Sequence, residues 1–102
     1  MNLIALGINH NSANVDVRER VAFAPEQVSE AMNDVCRQTE IDEVVVLSTC
    51  NRTEIYAVAP RDHVLSDKAR ELIQWMAGYH HLSSDELADA AYHHEGEEAL
   101  RH

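Results

Sequence analysis

The amino-acid sequence predicts an α+β fold whose elements follow the order βαββαβ. Apolar runs rich in β-branched residues predict strands near the N-terminus and in the middle of the chain. Segments with helical apolar spacing lie between and after them. The two central strands are separated by only about four residues, so they pair antiparallel, and the first connection is long enough for a right-handed crossover. We therefore predict a ferredoxin-like βαββαβ sandwich with an antiparallel sheet and helices on one face.

The first half of the chain contains a strand, a polar loop and a helix. Residues 3–8 are apolar and predict the first strand. Pro25 suits the first position of a helix that runs to about Gln38. The apolar stripe of this helix consists of Val28, Ala31, Met32 and Val35. Cys36 lies next to the stripe, and we interpret it as a packing residue.

A charged segment lies between the first strand and this helix. Val17 and Val21 are four apart, so one helical turn would bury both and expose Arg18 and Arg20. The two arginines are either a solvated charge cluster or a positive wall beside Cys50.

The second half begins with two strands. Residues 44–47 are uncharged and mostly β-branched, which predicts a buried strand, and residues 54–59 alternate in part. A long amphipathic helix is predicted from about Leu65 to His80, with Trp75 at the edge of its apolar stripe.

A capping box marks the next helix. Ser83 is its cap and Glu86 follows three residues later, so a short helix to about Ala90 is expected. Residues 91–94 predict a last short strand, and a further helix opens just before the chain ends. Because a helix cut off so early is unusual for a natural domain, we expect the chain to be a fragment of a longer protein.

Composition narrows the classes of function. The chain has 18 acidic and 8 basic residues and a net charge of −10, which argues against non-specific nucleic-acid binding unless another part of a larger protein supplies it. No apolar run reaches the roughly 18 residues of a membrane span, and the N-terminus has no basic leader. The two cysteines, Cys36 and Cys50, form no CxxC motif. These features predict a reduced, cytoplasmic protein without a membrane partner.

The tetrad Thr49-Cys50-Asn51-Arg52 lies between the two central strands. A thiol beside a fixed positive charge is where proteins place a thiolate nucleophile, and an arginine can bind a substrate carboxylate through two parallel hydrogen bonds. A free cysteine in a hairpin turn is the alternative, since most lone cysteines are small hydrophobes. If Cys50 forms a thioester, transfer to water gives hydrolysis and transfer of hydride gives an aldehyde. The residues alone leave both open.

Other chemistries have weaker support. Of the seven histidines, two adjacent pairs at 80–81 and 93–94 suggest metal, but adjacent side chains point apart and no HExxH or CxxC motif accompanies them. We therefore expect no metal site. Cys50 and Arg52 are too close in sequence for a phosphatase loop, and three scattered glycines cannot build a dinucleotide-binding loop.

Three segments resemble the N-terminal catalytic domain of bacterial glutamyl-tRNA reductase. They are Leu-Gly-Ile-Asn-His at 6–10, Val-Arg-Glu-Arg at 17–20 and Leu-Ser-Thr-Cys-Asn-Arg-Thr-Glu-Ile-Tyr at 47–56. The last is the most specific, because ten consecutive residues match the signature of the family. The resemblance extends over essentially the whole chain.

The family reduces glutamyl-tRNA to glutamate-1-semialdehyde with NADPH, the first step of tetrapyrrole (haem) biosynthesis by the five-carbon route. The resemblance implies that Cys50 attacks the aminoacyl ester and forms a thioester. It implies that Thr49, Asn51 and Arg52 bind substrate, with Arg52 on the side-chain carboxylate of glutamate. His102 would be important for activity as an acid, a base or an orienting group.

The resemblance also implies a domain organisation and partners. Residues 1–102 would be a catalytic, glutamyl-tRNA-binding fragment without reductase activity of its own, and the NADPH-binding and dimerisation domains would lie outside it. The expected partners are glutamyl-tRNA, glutamate-1-semialdehyde aminomutase, a second subunit, and haem-linked or proteolytic regulators. Two alternatives are a regulatory or protein-interaction module of the same pathway with a structural Cys50, and a metal-binding histidine module.

Overall fold

The structure is a computed structural model that describes residues 2–9, 11–12, 15–49, 52–60 and 64–101. Its strands are β1 (Leu3–Asn9), β2 (Glu43–Ser48), β3 (Arg52–Val58) and β4 (Tyr92–Glu95). Its helices are α1 (Val15–Val21), α2 (Val28–Thr39), α3 (Leu65–Tyr79), α4 (Ser84–Ala90) and α5 (Glu97–Arg101). Within the described ranges, no helix is long and apolar enough to cross a membrane.

The four strands form one antiparallel sheet in the order β2-β3-β1-β4. β1 and β3 are the central pair, and Leu6 lies opposite Ile55 in their register. The hairpin partner β2 and the late strand β4 form the two edges. This order and the antiparallel pairing confirm the predicted ferredoxin-like α+β fold.

One face of the sheet packs against α2 and α3 and holds the hydrophobic core. Because side chains alternate along a strand, every second residue of β1 and β3 points to this face. The bulky, fully buried apolar side chains include Ile4, Leu6, Ile8, Ile55, Leu72, Met76 and Leu87. Helix packing on this face confirms the predicted stripes of the two long helices.

The other face of the sheet is more polar. It carries Ala5 and Gly7 of β1, Glu54 and Tyr56 of β3, and Tyr92 of β4, in register with one another. Ala5 is buried outside the main core. The short α5 contacts β1 and β4 and covers part of this second face.

The expectation that residues 44–47 form a buried strand is wrong at alternate positions. Val46 is 7% exposed and faces the helices, but Val45 is 59% exposed and Leu47 is 41% exposed. β2 is an edge strand that packs against α2, and Val45 and Leu47 lie on its other face. Because residues 44–47 are all apolar, their sequence does not show which of them face the core and which face the solvent.

Local signals in the helices are largely confirmed. Trp75 is 9% exposed, and its Nε1 donates a hydrogen bond of 2.8 Å to Asp34 Oδ2, which lowers the pKa of that carboxyl. Ser83 Oγ accepts a hydrogen bond from Glu86 N at 3.1 Å and caps α4. Pro25 opens a 3-10 turn (Pro25–Gln27) directly before α2.

The turn end of the β2–β3 hairpin is hydrogen-bonded to the segment before α2. Ser48 Oγ accepts a hydrogen bond of 2.9 Å from the backbone N–H of Phe23. The same oxygen lies 3.2 Å from Thr53 Oγ1 on the neighbouring strand. One hydroxyl therefore links both strands of the hairpin to the buried Phe23.

We expect Ser48→Ala to lower the free energy of unfolding by about 1 kcal/mol, because the N–H of Phe23 loses its acceptor. Urea denaturation measures the change. The exposed Ser29→Ala on α2 is the matched control and should stay within about 0.5 kcal/mol. Equal effects of the two substitutions would contradict the linking role of Ser48.

His80 follows α3 and packs into an aromatic group. Its ring centroid lies 4.6 Å from that of Phe23 and 5.4 Å from that of Tyr79. Its Nε2 is buried and has no hydrogen-bond partner among the described residues. Burial, followed by the nearby His81, lowers the pKa of His80 to about 4.

This depressed pKa predicts a pH-dependent stability. The unfolded chain takes up a proton on His80 near the ordinary histidine pKa of 6.5, whereas the folded chain does so only near 4. The contribution of the neutral ring is therefore complete above about pH 6.5 and is lost as the pH falls toward 4. Melting temperatures across this window should fall more steeply for the wild type than for His80→Phe, which keeps the aromatic packing. Parallel curves would exclude His80 as the cause.

Candidate functional site

The predicted site lies at the turn between β2 and β3. The backbone N–H of Thr49 donates a hydrogen bond of 2.8 Å to the carbonyl oxygen of Arg52. In return, the backbone N–H of Arg52 donates to Thr49 Oγ1 at 3.2 Å. Thr49 and Arg52 thus close the hairpin, and sequence positions 50 and 51 are the only ones between them.

The structure brings together two of the five residues that the sequence analysis assigned to the site. Thr49 and Arg52 are both described and both exposed. Cys50, Asn51 and His102 lie outside the described residues, so their assignments stay predictions.

The guanidinium of Arg52 lies at the rim of the second sheet face. Its side chain is 54% exposed, and Nη1 is 3.7 Å from Glu54 Oε1. Because strand residues two apart share a face, Arg52 and Glu54 point to the same side of β3. Among the described residues, Arg52 therefore has Glu54 as an anionic neighbour, and its side chain is still half exposed to solvent.

The sequence analysis did not assign Glu54 to the site. Its carboxylate is 2% exposed, and each of its oxygens accepts a phenol hydrogen bond. Tyr56 Oη donates to Oε1 at 2.8 Å, and Tyr92 Oη donates to Oε2 at 2.5 Å. A side-chain hydrogen bond also joins Asn9 to Tyr92. The sequence did offer one signal for Glu54: a charged residue between Thr53 and Ile55, inside a run that is typical of a strand.

Burial is the largest cause of the raised pKa of Tyr56 and of Tyr92, and the hydrogen bond to Glu54 is the next. The shift is the larger for Tyr92, whereas the hydrogen bond from Asn9 acts in the opposite direction. Tyr56 and Tyr92 therefore remain protonated donors throughout the neutral range.

The two arginines of α1, Arg18 and Arg20, differ in burial and in their partners. Arg20 Nη1 pairs with Glu86 Oε2 of α4 at 3.0 Å, and both side chains are about half exposed. This ion pair favours the solvated interpretation of Arg20. Arg18 is partly buried, and its Nε has no hydrogen-bond partner among the described residues.

The adjacent histidines of β4 bind separate carboxylates. His93 Nε2 lies 3.0 Å from Glu95 Oε2, and His94 Nδ1 lies 2.7 Å from Glu98 Oε1. In the part of the chain that the structure describes, no group of three or more histidine, cysteine, aspartate or glutamate side chains could hold a metal ion.

Comparison with known proteins gives one consistent result. The model of the glutamyl-tRNAGlu reductase N-terminal domain family matches residues 6–102. The glutamyl-tRNA reductase of Pseudomonas fluorescens is 53% identical over all 102 residues of this chain, and that of Shewanella amazonensis is 49% identical over the same length. The chain spans 23% of the length of each of these curated relatives.

A solved structure agrees with the sequence matches. Glutamyl-tRNA reductase from Methanopyrus kandleri is similar with a TM-score of 0.69 at 30% identity, over 99% of this chain and 21% of that one. The hairpin closed by Thr49 and Arg52 lies within the residues that the family model matches. The chain belongs to the family of glutamyl-tRNA reductase N-terminal domains.

Proposed function

We propose that this chain takes the glutamyl group of glutamyl-tRNA onto Cys50 as a thioester. It would do so as the catalytic domain of a reductase that makes glutamate-1-semialdehyde for tetrapyrrole biosynthesis. The observation that carries the proposal is the hairpin within the family match. Thr49 and Arg52 close the turn around sequence positions 50 and 51. The side chain of Arg52, which follows these positions directly in the sequence, is half exposed.

The proposed step exchanges an ester for a thioester. The Cys50 sulfur attacks the carbonyl carbon of the glutamyl ester and forms a carbon–sulfur bond. The carbon–oxygen bond to the tRNA ribose breaks, and the ribose oxygen receives the proton that the thiol gave up. The step is balanced and changes no oxidation state.

Specificity for glutamate would come from Arg52. An exposed guanidinium binds a carboxylate through two parallel hydrogen bonds. A glutaminyl group has the same shape but offers one oxygen and an NH2 donor, so it cannot accept both. We propose that Thr49 and Asn51 contribute further hydrogen bonds to the bound group.

The aldehyde product requires a hydride that these residues do not supply. The whole chain has only three glycines, and the described sheet is antiparallel, so neither fits a glycine-rich dinucleotide site. We propose that NADPH is the donor and is bound by polypeptide outside residues 1–102.

The remaining functional predictions concern groups beyond the described site. His102 stays a predicted acid, base or orienting group. Glutamate-1-semialdehyde aminomutase, a second subunit, and haem-linked or proteolytic regulators stay predicted partners of the complete enzyme.

We expect an activated α-glutamyl thioester, such as the benzyl thioester, to acylate Cys50 in the chain itself. Mass spectrometry after proteolysis would locate the adduct. Cys36, a partly buried thiol on α2, is an internal control in the same molecule. Faster acylation of Cys50 than of Cys36, and its loss in Cys50→Ala, would support the proposal. Equal labelling, or no labelling of Cys50, would contradict it and favour a module with a structural Cys50.

We expect Cys50 to prefer the α-glutamyl over the α-glutaminyl thioester by about tenfold or more, the effect of a charge-assisted hydrogen bond. Arg52→Gln should remove this preference, and Arg52→Lys should restore only part of it because an ammonium cannot bind in bidentate fashion. Arg70→Gln is the control, since Arg70 is an exposed arginine on α3. A preference that survives Arg52→Gln would exclude Arg52 as the carboxylate ligand.

A further inference from the structure

The second sheet face contains a buried charge that the proposed acyl transfer does not use directly. Glu54 is 2% exposed and lies opposite Gly7 of β1 and Leu47 of β2. A carboxylate in such surroundings is costly unless hydrogen bonds replace the water that it has lost. Neighbouring donors are therefore needed to hold Glu54 in this place.

The described neighbours of this carboxylate include the phenols of Tyr56 and Tyr92 and the guanidinium of Arg52. Tyr56 and Tyr92 donate to its two oxygens at 2.8 and 2.5 Å, whereas the nearest guanidinium nitrogen of Arg52 is 3.7 Å away. A direct arginine–carboxylate pair is shorter, at about 2.8 Å. Each phenol thus takes one acceptor position on a Glu54 oxygen, and Arg52 makes only a longer contact with Oε1.

This arrangement has a consequence for Arg52. A bidentate pair with Glu54 would draw the guanidinium inward and use the donors that a substrate carboxylate needs. The single contact of 3.7 Å instead places the guanidinium beside Glu54 and leaves the arginine side chain 54% exposed.

Gly7 makes room for this network. A Cβ at position 7 would lie 2.7 Å from Tyr92 Oη and 2.9 Å from Glu54 Cγ, closer than such atoms approach in proteins. Tyr92 reaches Glu54 only because β1 carries no side chain between them. Four strand positions, on β1, β3 and β4, therefore combine to hold one carboxylate.

We propose that Glu54, held by the phenols of Tyr56 and Tyr92, is a positioning residue that sets Arg52 for recognition of the glutamyl side chain. Tyr92 acts through Glu54 and does not touch the substrate. This inference rests on the proposed role of Arg52 as the carboxylate ligand. It assigns to β4, a strand distant in sequence from the hairpin, a part in substrate selection.

The test is the ratio of Cys50 acylation rates with the α-glutamyl and α-glutaminyl benzyl thioesters, measured in the same preparation of the chain. A ratio within one variant cancels differences in the amount of folded protein and in thiol reactivity. Tyr92→Phe should lower the ratio about threefold to tenfold, the effect of one hydrogen bond. Glu54→Gln should lower it further, because the neutral amide no longer attracts Arg52.

Tyr79→Phe is the matched control, since it removes a phenol from α3 on the opposite face of the sheet and should leave the ratio unchanged. Thermal unfolding would identify a variant that fails to fold, and Tyr56→Phe then offers a second removal of a donor to Glu54. An unchanged ratio in the folded Tyr92→Phe and Tyr56→Phe variants would overturn the inference.

The two proposals fail in different ways. No preference in the wild-type chain, or a preference that survives Arg52→Gln, would remove the proposed function itself. A preference that needs Arg52 but is insensitive to the loss of either phenol would overturn only the positioning role of Glu54.

Discussion

The antiparallel pairing of β1 with β3 is the constraint on which the rest of the structure depends. Its register places Leu6 beside Ile55 on one face and Gly7 beside Glu54 on the other. A shift by one residue would exchange the two faces and place a carboxylate in the apolar core. The same register therefore determines both where the helices pack and where the polar network can form.

The two faces then have separate tasks. The helical face is dry and close-packed around Leu72 and Met76, and it supplies most of the burial that stabilises the fold. The second face carries charged and phenolic groups whose hydrogen bonds converge on Glu54. Separating them allows the hairpin end to carry reactive and charged side chains without disturbing the packed core.

Periodicity and turn chemistry predicted much of this fold. The stripe of α2, the edge position of Trp75 and the cap at Ser83 all follow from spacing over a few residues, and the structure confirms them. The exposure of Val45 and Leu47 did not follow, because an unbroken apolar run carries no period. Whether a strand lies at an edge is decided by its partners.

The candidate site, like the fold, could be predicted from the sequence only where the contacts are local. The pairing of Thr49 with Arg52 follows from a short hairpin connection, which local sequence specifies. The contact between Tyr92 and Glu54 joins residues 38 apart, and only the pairing of β4 with β1 creates it. No pattern within a window of the sequence contains that information. The assignments of Asn51 and His102 rest on family resemblance alone, and for Cys50 the resemblance adds to the argument from a thiol beside a positive charge.

Position 7 is a glycine, and the lack of a side chain there couples it to positions 54 and 92, which are distant in the sequence. Because Tyr92 Oη and Glu54 Cγ occupy the space that a Cβ would need, the residue tolerated at one of these positions depends on the other two. Substitutions there are expected to be non-additive: shortening the tyrosine at 92 should relieve part of the cost of an alanine at position 7, and the close contact with Glu54 Cγ would remain. Any redesign of the domain should treat positions 7, 54 and 92 as one unit.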